Sequence, residues 1–204
     1  MKRIGIMGGT FDPIHLGHLM LGRQAYEEYR LDLVWYMPSK TPPHKKDHKI
    51  TSAEDRCAMI QTAIRDIPGF ELSRYELMRE GGNTYTADTL RLLKEDYPDT
   101  EFYFIVGADS IFEIEKWYHP EYVLSAVTFL AADREFEDTS RSLDTQIRHL
   151  TERYGANIYR LHCREFHVAS EEIRTRIRQG ADTGGLIPGE VYSYILAHHL
   201  YRHS

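Results

Sequence analysis

Short apolar runs alternate with amphipathic stretches along the chain. The runs with the length and composition of β-strands are residues 4–7, 33–37, 70–72, 101–106, 127–132 and 157–161. Apolar residues recur at helical spacing in residues 16–26, 51–67, 86–97, 143–154, 170–179 and from 188 onwards. This alternation is typical of βαβ units built around a parallel sheet.

Capping residues locate several helix ends. The spacing of Thr51-Ser52-Ala53-Glu54 is that of a capping box, so we predict that a helix begins there. Ser170 is suited to cap the next-to-last helix, and Pro188 to occupy the first turn of the last one. The apolar face predicted for the first helix consists of Leu16, Leu19, Met20 and Tyr26.

Length and composition agree with this pattern. The chain has 204 residues, of which 42% are hydrophobic, and a formal net charge of −6. We predict an α/β fold: one domain over 1–204, with a Rossmann-like open parallel sheet, helices on both faces and a small helical C-terminal region over 170–204. Because a nucleic-acid binder more often shows a dominant basic stripe, the mild acidity favours small-molecule chemistry without a nucleic-acid partner.

The sequence also bears on where the protein is located. No apolar run approaches the length of a membrane span, and Asp12 follows the first strand too closely for a signal-peptide core. We therefore expect a cytoplasmic protein without a membrane partner; whether it forms a homo-oligomer stays open.

The chain has two cysteines, Cys57 and Cys163, which do not make a disulfide framework. Cys57 is expected to be a buried structural thiol in the helix after residue 51.

The segment after the first strand carries the most informative chemistry: it reads Gly8-Gly9-Thr10-Phe11-Asp12-Pro13-Ile14-His15-Leu16-Gly17-His18. Glycines directly after a strand let backbone N–H groups approach phosphate oxygens closely. The three-residue spacing of His15 and His18 places both imidazoles on one side of a first helical turn. Two such rings can donate hydrogen bonds to charge that builds on a pentacoordinate phosphorus. The alternative is a plain tight turn with histidines that satisfy backbone groups.

The same segment identifies a family. Neither the Gly-Lys-Ser/Thr of a P-loop nor a Gly-x-Gly-x-x-Gly fingerprint follows the strand, which counts against a P-loop kinase or a dehydrogenase. Residues 8–18 resemble the signature of the His-x-Gly-His nucleotidylyltransferases. Further blocks narrow the resemblance to bacterial nicotinate-nucleotide adenylyltransferases, from Lys2 to Tyr201. These blocks are residues 37–45, 85–90, 107–110 and 117–118, with Leu186, Ile187, Pro188, Val191, Tyr194, Ile195, Leu200 and Tyr201 in the tail.

The resemblance implies an enzyme of NAD biosynthesis that transfers AMP from ATP to nicotinate mononucleotide, giving nicotinate adenine dinucleotide and pyrophosphate. It implies catalytic roles for His15, His18 and Arg174, with Mg²⁺ carried by the ATP phosphates and no protein-bound metal. The ATP-binding residues that it implies are Gly8, Gly9, Thr10, Phe11, Asp109, Ser170 and Ile173. The acceptor-binding residues that it implies are Ser39, Lys45, Tyr85, Thr86, Trp117 and Arg134.

The chemistry of the proposed ATP residues suits these roles. Ser170 offers a hydroxyl at a helix start, and Arg174, one turn later, can fork onto the phosphates of a leaving pyrophosphate. Asp109 follows the strongest strand, which is a ligand-site position in an open α/β sheet. The alternatives are an ordinary capped helix with Arg174 in solvent, and a helix N-cap role for Asp109.

The acceptor residues that the resemblance implies suit a pyridine nucleotide. Trp117 can stack on a pyridine ring, although core packing is its alternative. The helix start at Tyr85 and Thr86 favours a carboxylate such as that of nicotinate. Lys45 is a candidate for the acceptor phosphate, or a solvated loop lysine. Two departures from the family pattern weaken the assignment: Ser39 replaces a common asparagine, and Arg134 lacks the usual Pro-Gly after it.

Three other functions stay open. The nearest is a sister enzyme that uses nicotinamide mononucleotide or phosphopantetheine. A nucleotide-binding sensor with a decayed site is suggested by Ala169 and Glu171, which replace the family's usual serine and threonine. The third is a metal-dependent hydrolase built on His15, His18 and Asp109.

Glu171 places a negative charge at the start of the helix proposed to bind ATP phosphates. A carboxylate at a helix start suits the helix dipole but repels a triphosphate, so we expect weaker ATP binding than in relatives or a Glu171 side chain turned outward. If the repulsion operates, Glu171→Thr lowers the KM for ATP in steady-state kinetics. A KM that is unchanged or raised would contradict this account.

Overall fold

The computed structural model describes residues 1–40, 50–79, 84–132, 142–162 and 168–202. In these residues, six strands form one sheet in the order β3-β2-β1-β4-β5-β6. All neighbouring strands pair in parallel. The strands are β1 (Lys2–Gly9), β2 (Leu33–Pro38), β3 (Phe70–Leu72), β4 (Thr100–Gly107), β5 (Thr128–Ala132) and β6 (Asn157–Leu161). The predicted open parallel sheet is confirmed.

Helices connect the strands, and two more helices follow the last strand. They are α1 (Leu16–Glu28), α2 (Ala53–Ile64), α3 (Tyr75–Met78), α4 (Thr86–Asp96), α5 (Ala108–Glu113), α6 (Pro120–Ala126), α7 (Leu143–Tyr154), α8 (Ser170–Arg178) and α9 (Gly189–Ala197), with a 3₁₀ turn at Ile114–Lys116. The sequence pattern predicted α1, α2, α4, α7, α8 and α9. It did not predict α3, α5 and α6, which are too short for a repeating apolar period. No helix in the described ranges is long and apolar enough to cross a membrane.

The sheet separates two apolar layers. Alternate residues of β4 point to opposite faces, so Phe102 and Phe104 join one cluster while Tyr103 and Ile105 join the other. The first cluster includes buried residues of α4, α5, α6 and α7. The second includes buried residues of α1, α2, α8 and α9. Helices therefore cover both faces, as predicted.

The strand order reverses direction between β1 and β4. In such sheets, ligands bind beyond the carboxyl ends of the strands at this switch point. β1 ends at Gly9 and β4 ends at Gly107, so the predicted phosphate segment and Asp109 emerge side by side at the same sheet edge. The fold thus brings together two blocks that lie far apart in sequence.

Several predicted element ends differ from the structure. The cap of α2 is Ser52, whose hydroxyl oxygen accepts from Asp55 N–H at 3.0 Å, one residue later than the predicted Thr51 box. Ser170 is not the cap of α8, because Ala169 is the cap residue, and Pro188 is the cap of α9. Gly8 and Gly9 are the last residues of β1, paired with Met37 and Pro38, and not a loop after the strand.

The buried face of α1 consists of small residues: Gly17, Gly22 and Ala25. The apolar face predicted for this helix is only partly correct, because Met20 is exposed. Small residues let the α1 backbone approach the sheet, where the buried Tyr36 donates its hydroxyl to the carbonyl oxygen of His18 at 3.2 Å. A Cβ atom on Gly22 would overlap that hydroxyl.

We predict that Gly22→Ala destabilises the protein. Alanine is the better helix former by about 1 kcal/mol, but overpacking against the immobile Tyr36 ring costs more, and the net loss should be about 1–2 kcal/mol. Urea unfolding measures the change. Gly189→Ala, where a Cβ meets nothing within 4 Å, is the control and should not lose stability. A Gly22→Ala protein as stable as the wild type would show that Tyr36 is free to move.

Candidate active site

His15 and His18 lie together at the start of α1. His15 is the cap residue of this helix, and the two rings stack with centroids 3.7 Å apart and planes inclined by 26°. The backbone N–H of His15 donates to Nδ1 of His18 at 3.3 Å. His15 is 7% exposed and His18 is half-buried. The structure therefore pairs the two imidazoles beside the carboxyl end of β1, as their spacing predicted.

Phe11 supports this ring pair from the loop before α1. Its ring meets the His18 ring edge-on at 4.9 Å and is buried in the core beside Tyr36. Its φ is +52°, in the left-handed region, which a bulky residue occupies only when its surroundings enforce it. Because the Phe11 side chain lies in the core, only its backbone is placed to meet a ligand.

Asp12 anchors the same loop by a buried carboxylate. This residue is 1% exposed, and the Asp12–Pro13 peptide bond is cis. The carboxylate accepts from the hydroxyl of Tyr201 at 2.7 Å and from the N–H of Thr51 at 3.3 Å. The Asp12 carbonyl oxygen accepts from Nη1 of Arg174 at 2.7 Å. Asp12 lay inside the predicted motif, but its sequence context did not reveal these partners.

Arg56 is the second buried charge beneath the loop. Its guanidinium donates to three carbonyl oxygens: Thr51 at 3.2 Å, Thr10 at 2.7 Å and Ser39 at 2.9 Å. Arg56 therefore ties the ends of β1 and β2 to the start of α2. We did not predict this residue, although a signal existed. Arg56 is four residues before Ile60 on the buried face of α2, where an arginine is out of place unless it is fully bonded.

These groups give the loop an excess of buried positive charge. Arg56 and Arg174 are both buried, and Asp12 is the buried carboxylate between them. Burial lowers the pKa of Arg56, and the nearby Asp12 charge opposes that shift. Burial, followed by the Asp12 charge, raises the pKa of Tyr201 well above its usual range, so its hydroxyl stays protonated and remains a donor. An oxygen-rich anion at the loop would meet a favourable field.

The structure places α8 against this loop. The Ser170 hydroxyl donates to the carbonyl oxygen of Pro13 at 3.0 Å, and Arg174 holds Asp12 as described. Ile173 is completely buried in the core. Arg174 is therefore buried, and the alternative of an ordinary capped helix with Arg174 in solvent is wrong. Glu171 is exposed, which agrees with the outward orientation considered for it.

A cavity of about 770 Å³ opens at the end of β4. It is lined by Thr84, Tyr85, Thr86, Asp109, Ser110, Glu113, Lys116, Trp117, Tyr118 and His119. The predicted acceptor residues Tyr85, Thr86 and Trp117 thus share one cavity with Asp109. The Trp117 ring is half-buried and meets Phe104 edge-on at 6.4 Å, so one side packs on the core while the residue still lines the cavity.

The remaining predicted residues have different outcomes. Asp109 is exposed in the first turn of α5, and Gly107 is the cap residue, so the N-cap alternative for Asp109 is wrong. Ser39 lies at the end of β2, where its N–H donates to the carbonyl oxygen of Gly9 at 2.9 Å. Lys45, Arg134 and Cys163 lie outside the described residues. Cys57 is buried, as predicted.

Beneath the start of α4 lies a half-buried carboxyl group, that of Glu76, which the sequence did not reveal. Glu76 Oε1 accepts from the Thr89 hydroxyl at 2.8 Å, and Arg79 Nη1 donates to the same hydroxyl at 2.9 Å. Lys40 Nζ donates to the Arg79 carbonyl oxygen at 2.5 Å. Burial raises the pKa of Glu76 to about 7, although its bonds to Thr89 and the Arg79 charge act in the opposite direction. This cluster fixes α4, whose first turn lines the cavity.

The described residues contain no group of three or more His, Cys, Asp or Glu side chains placed to hold a metal ion. His15, His18 and Asp109 accordingly do not form the ligand set that the metal-dependent hydrolase alternative requires. The geometry at the sheet edge suits phosphate binding by imidazoles, backbone groups and buried guanidinium charge.

Comparisons with known proteins agree with this geometry. A family model described as cytidylyltransferase-like matches residues 6–176. The chain is 45% identical to a Lachnoclostridium phytofermentans protein named "Probable nicotinate-nucleotide adenylyltransferase", over 98% of this chain and 100% of the relative. A Bacillus cytotoxicus protein of the same name is 41% identical, over 99% of this chain and 100% of its own length. Among solved structures, the Plasmodium falciparum nicotinic acid mononucleotide adenylyltransferase complexed with NaAD superposes with a TM-score of 0.80 at 22% identity, over 98% of both chains. At that identity the superposition supports the fold alone.

Glu76 makes stability depend on pH. Because its pKa in the folded protein, about 7, is above the ordinary glutamate value of 4.5, its contribution to stability is complete below pH 4.5 and is lost as pH rises through 7. We predict that Glu76→Gln removes this loss. Relative to wild type, the variant should gain up to about 1.4 kcal/mol of unfolding free energy per pH unit between pH 5 and 7.

Urea unfolding at pH 5, 6, 7 and 8 measures this difference. Glu152→Gln, an exposed position on α7, is the matched control and should show a difference from wild type that is constant with pH. An equally constant difference for Glu76→Gln would contradict the assignment.

Proposed function

The chain belongs to the cytidylyltransferase-like family, in the branch of the nicotinate-nucleotide adenylyltransferases, and from this premise we propose that it transfers AMP from ATP to nicotinate mononucleotide. The products are nicotinate adenine dinucleotide and pyrophosphate, which places the enzyme in NAD biosynthesis. One observation carries the proposal. The paired imidazoles at the end of β1 and the cavity at the end of β4 open on neighbouring strands, so a nucleotide phosphate and an acceptor can meet between them.

The β1 side is suited to the ATP phosphates. His15 and His18 are held at a helix start, where N–H groups and the helix dipole favour anions. The buried charges of Arg56 and Arg174 add to the same field. We assign Gly8, Gly9, Thr10 and the backbone of Phe11 to the walls of this phosphate site.

The helix α8 is proposed to serve the departing pyrophosphate. Ser170 and Arg174 already touch the loop backbone at Pro13 and Asp12, so they lie next to the imidazole pair. A guanidinium at this position neutralises charge that accumulates on the leaving group. Ile173 contributes by packing α8 onto the core, since its side chain is buried.

The cavity beside β4 is proposed to hold the acceptor. Trp117 offers an aromatic surface for the pyridine ring, and the first turn of α4 at Tyr85 and Thr86 offers N–H groups to the nicotinate carboxylate. Asp109, in the first turn of α5 directly after β4, also lines this cavity, and we assign it to the ATP ribose and phosphates. Ser39, Lys45 and Arg134 complete the acceptor assignment.

The reaction needs alignment more than a protein nucleophile. A phosphate oxygen of the acceptor forms a bond to the α-phosphorus of ATP, and the bond from that phosphorus to the bridging oxygen of the β-phosphate breaks. The electron pair of the broken bond leaves with pyrophosphate. His15 and His18 stabilise the negative charge on the pentacoordinate phosphorus by hydrogen bonds. Mg²⁺ arrives as part of the substrate MgATP.

A coupled pyrophosphate assay tests this function. With MgATP we expect turnover with nicotinate mononucleotide at a kcat/KM at least about tenfold above that with nicotinamide mononucleotide, because a site built for a carboxylate rejects an amide. Phosphopantetheine should give no turnover. His18→Ala should lower kcat by about 100-fold, the usual cost of one lost donor to a developing oxyanion.

The matched control is His149→Ala, an exposed histidine on α7, which should keep full activity. Equal kcat/KM values for the two mononucleotides would overturn the preference for the acid. A protein that binds ATP but releases no pyrophosphate with any acceptor would instead be the nucleotide sensor.

A further inference from the structure

The C-terminal part of the chain folds back onto the loop that carries the imidazole pair. Beyond the contacts from α8, the Leu186 carbonyl oxygen accepts from the N–H of Leu16 at 3.0 Å, at the first residue of α1. The hydroxyl of Tyr201, past the end of α9, reaches the Asp12 carboxylate at 2.7 Å. Nothing in the reaction described above uses Tyr201.

The approach of Tyr201 to Asp12 requires an unusual backbone. Both His199 and Tyr201 have positive φ angles, +53° and +62°, which non-glycine residues adopt at a cost. Between them, Leu200 donates its N–H to the carbonyl oxygen of Ile195 at 3.0 Å, and its side chain packs on the core with that of Tyr201. The turn after α9 is therefore held in a specific conformation that directs the Tyr201 hydroxyl inward.

The Tyr201 hydroxyl donates a hydrogen bond to the Asp12 carboxylate, which would be destabilised if it were left without donors. The Asp12 carboxylate is buried, and the Tyr201 hydroxyl at 2.7 Å is a closer donor than Thr51 N–H at 3.3 Å. Donors to a buried charge are the strong class of hydrogen bond, and losing one leaves the charge undersatisfied. Asp12 therefore shifts if the hydroxyl is removed.

A shift of Asp12 reaches the reacting groups through a short path. Asp12 is bonded to Phe11, whose ring contacts His18, and it lies three residues before His15. The carbonyl oxygen of Asp12 also positions Arg174. A displacement of about 1 Å in such an alignment lowers the rate by as much as roughly 100-fold.

We propose that Tyr201 is a positioning residue for AMP transfer: through its hydroxyl bond to Asp12, the C-terminal turn sets the placement of His15 and His18. The inference rests on the proposed function for its kinetic test, and on the structure alone for its spectroscopic test. Tyr201 touches neither substrate in this account, and it acts only through Asp12.

The variant Tyr201→Phe removes the hydroxyl and keeps the ring in the core. We expect kcat to fall about tenfold while the KM values for ATP and nicotinate mononucleotide change by less than about twofold, because alignment and not binding is lost. Tyr194→Phe is the matched control. It also removes a hydroxyl bond to a carboxylate, from α9 to Asp55 Oδ1 at 2.9 Å, but the Asp55 carboxylate otherwise accepts from the Ser52 hydroxyl at the start of α2. Its kcat should equal that of the wild type.

Two outcomes of this comparison would overturn the proposal. One is an unchanged kcat in Tyr201→Phe. The other is an equal loss in Tyr194→Phe, which would mean that docking of α9 in general is what matters. In the His18→Ala background, Tyr201→Phe should cost less than about twofold further, because both changes impair the same alignment. A full tenfold further loss in the His18→Ala background would show that Tyr201 does not act through the placement of His18, and would overturn the proposal.

A spectroscopic measurement separates this inference from the proposed function. NMR of the imidazole C–H groups should show shifted His15 and His18 signals in Tyr201→Phe, and unshifted ones in Tyr194→Phe. If the wild type releases no pyrophosphate, the proposed function fails while these signals still decide the coupling. Should Tyr201→Phe not fold, Tyr201→Leu tests the same link, because it also removes the hydroxyl and keeps an apolar side chain against the core. Unshifted His15 and His18 signals in the folded variant would overturn the inference.

Discussion

A carboxylate that is removed from water must be surrounded by donors, and the donors of Asp12 come from widely separated parts of the chain. Tyr201 is 189 residues away and Thr51 is 39 residues away. Arg174, which binds the Asp12 carbonyl oxygen, is 162 residues away. Because an unpaired buried charge is strongly destabilising, these segments converge at one point at the end of β1. The loop before α1 is fixed by this convergence, and the imidazole pair is fixed with it. Arg56 completes the arrangement by binding the carbonyl oxygens at the ends of β1 and β2.

The proposed site has two halves, one for phosphate and one for the acceptor, and they depend on different parts of the fold. The phosphate half relies on polar contacts among buried charges, on the sheet face covered by α1, α2, α8 and α9. The acceptor half relies on short elements after β4 and on α4, whose first turn is supported by Glu76 and Thr89. The halves meet because β1 and β4 are neighbours at the point where the strand order reverses. The sheet determines where the site lies, and the two sets of side chains determine what each half can bind.

Much of this could be predicted from local patterns. The apolar runs predicted all six strands of the described sheet. The central strands β1 and β4 are the most continuous runs, because a parallel strand in the middle of a sheet is buried on both faces. The edge strands β3 and β6 include the polar residues Glu71 and Arg160. The spacing of His15 and His18 predicted their pairing, because the cap residue of a helix lies beside the third residue of its first turn. Arg56 and Tyr201 were missed because their partners are distant in sequence, and no local pattern records which carbonyl or carboxylate a buried donor will meet. The glycines Gly8 and Gly9 were placed after β1, yet they extend the ladder, since a parallel strand can end in residues without side chains. Short α5 and α6 could not show a helical period.

The central position of β1 also bears on how activity arises during folding. β1 pairs with β4, about 100 residues later in sequence, so the sheet requires a large loop to close before its middle exists. Residues 186–201 then add contacts that the sheet itself does not need. A state with α9 undocked keeps all six strands paired but leaves Asp12 without its nearest donor. Such a species would have native secondary structure but a reduced turnover. On this geometry, pairing of the strands would not be enough for full activity, which would also require the docked C-terminal residues.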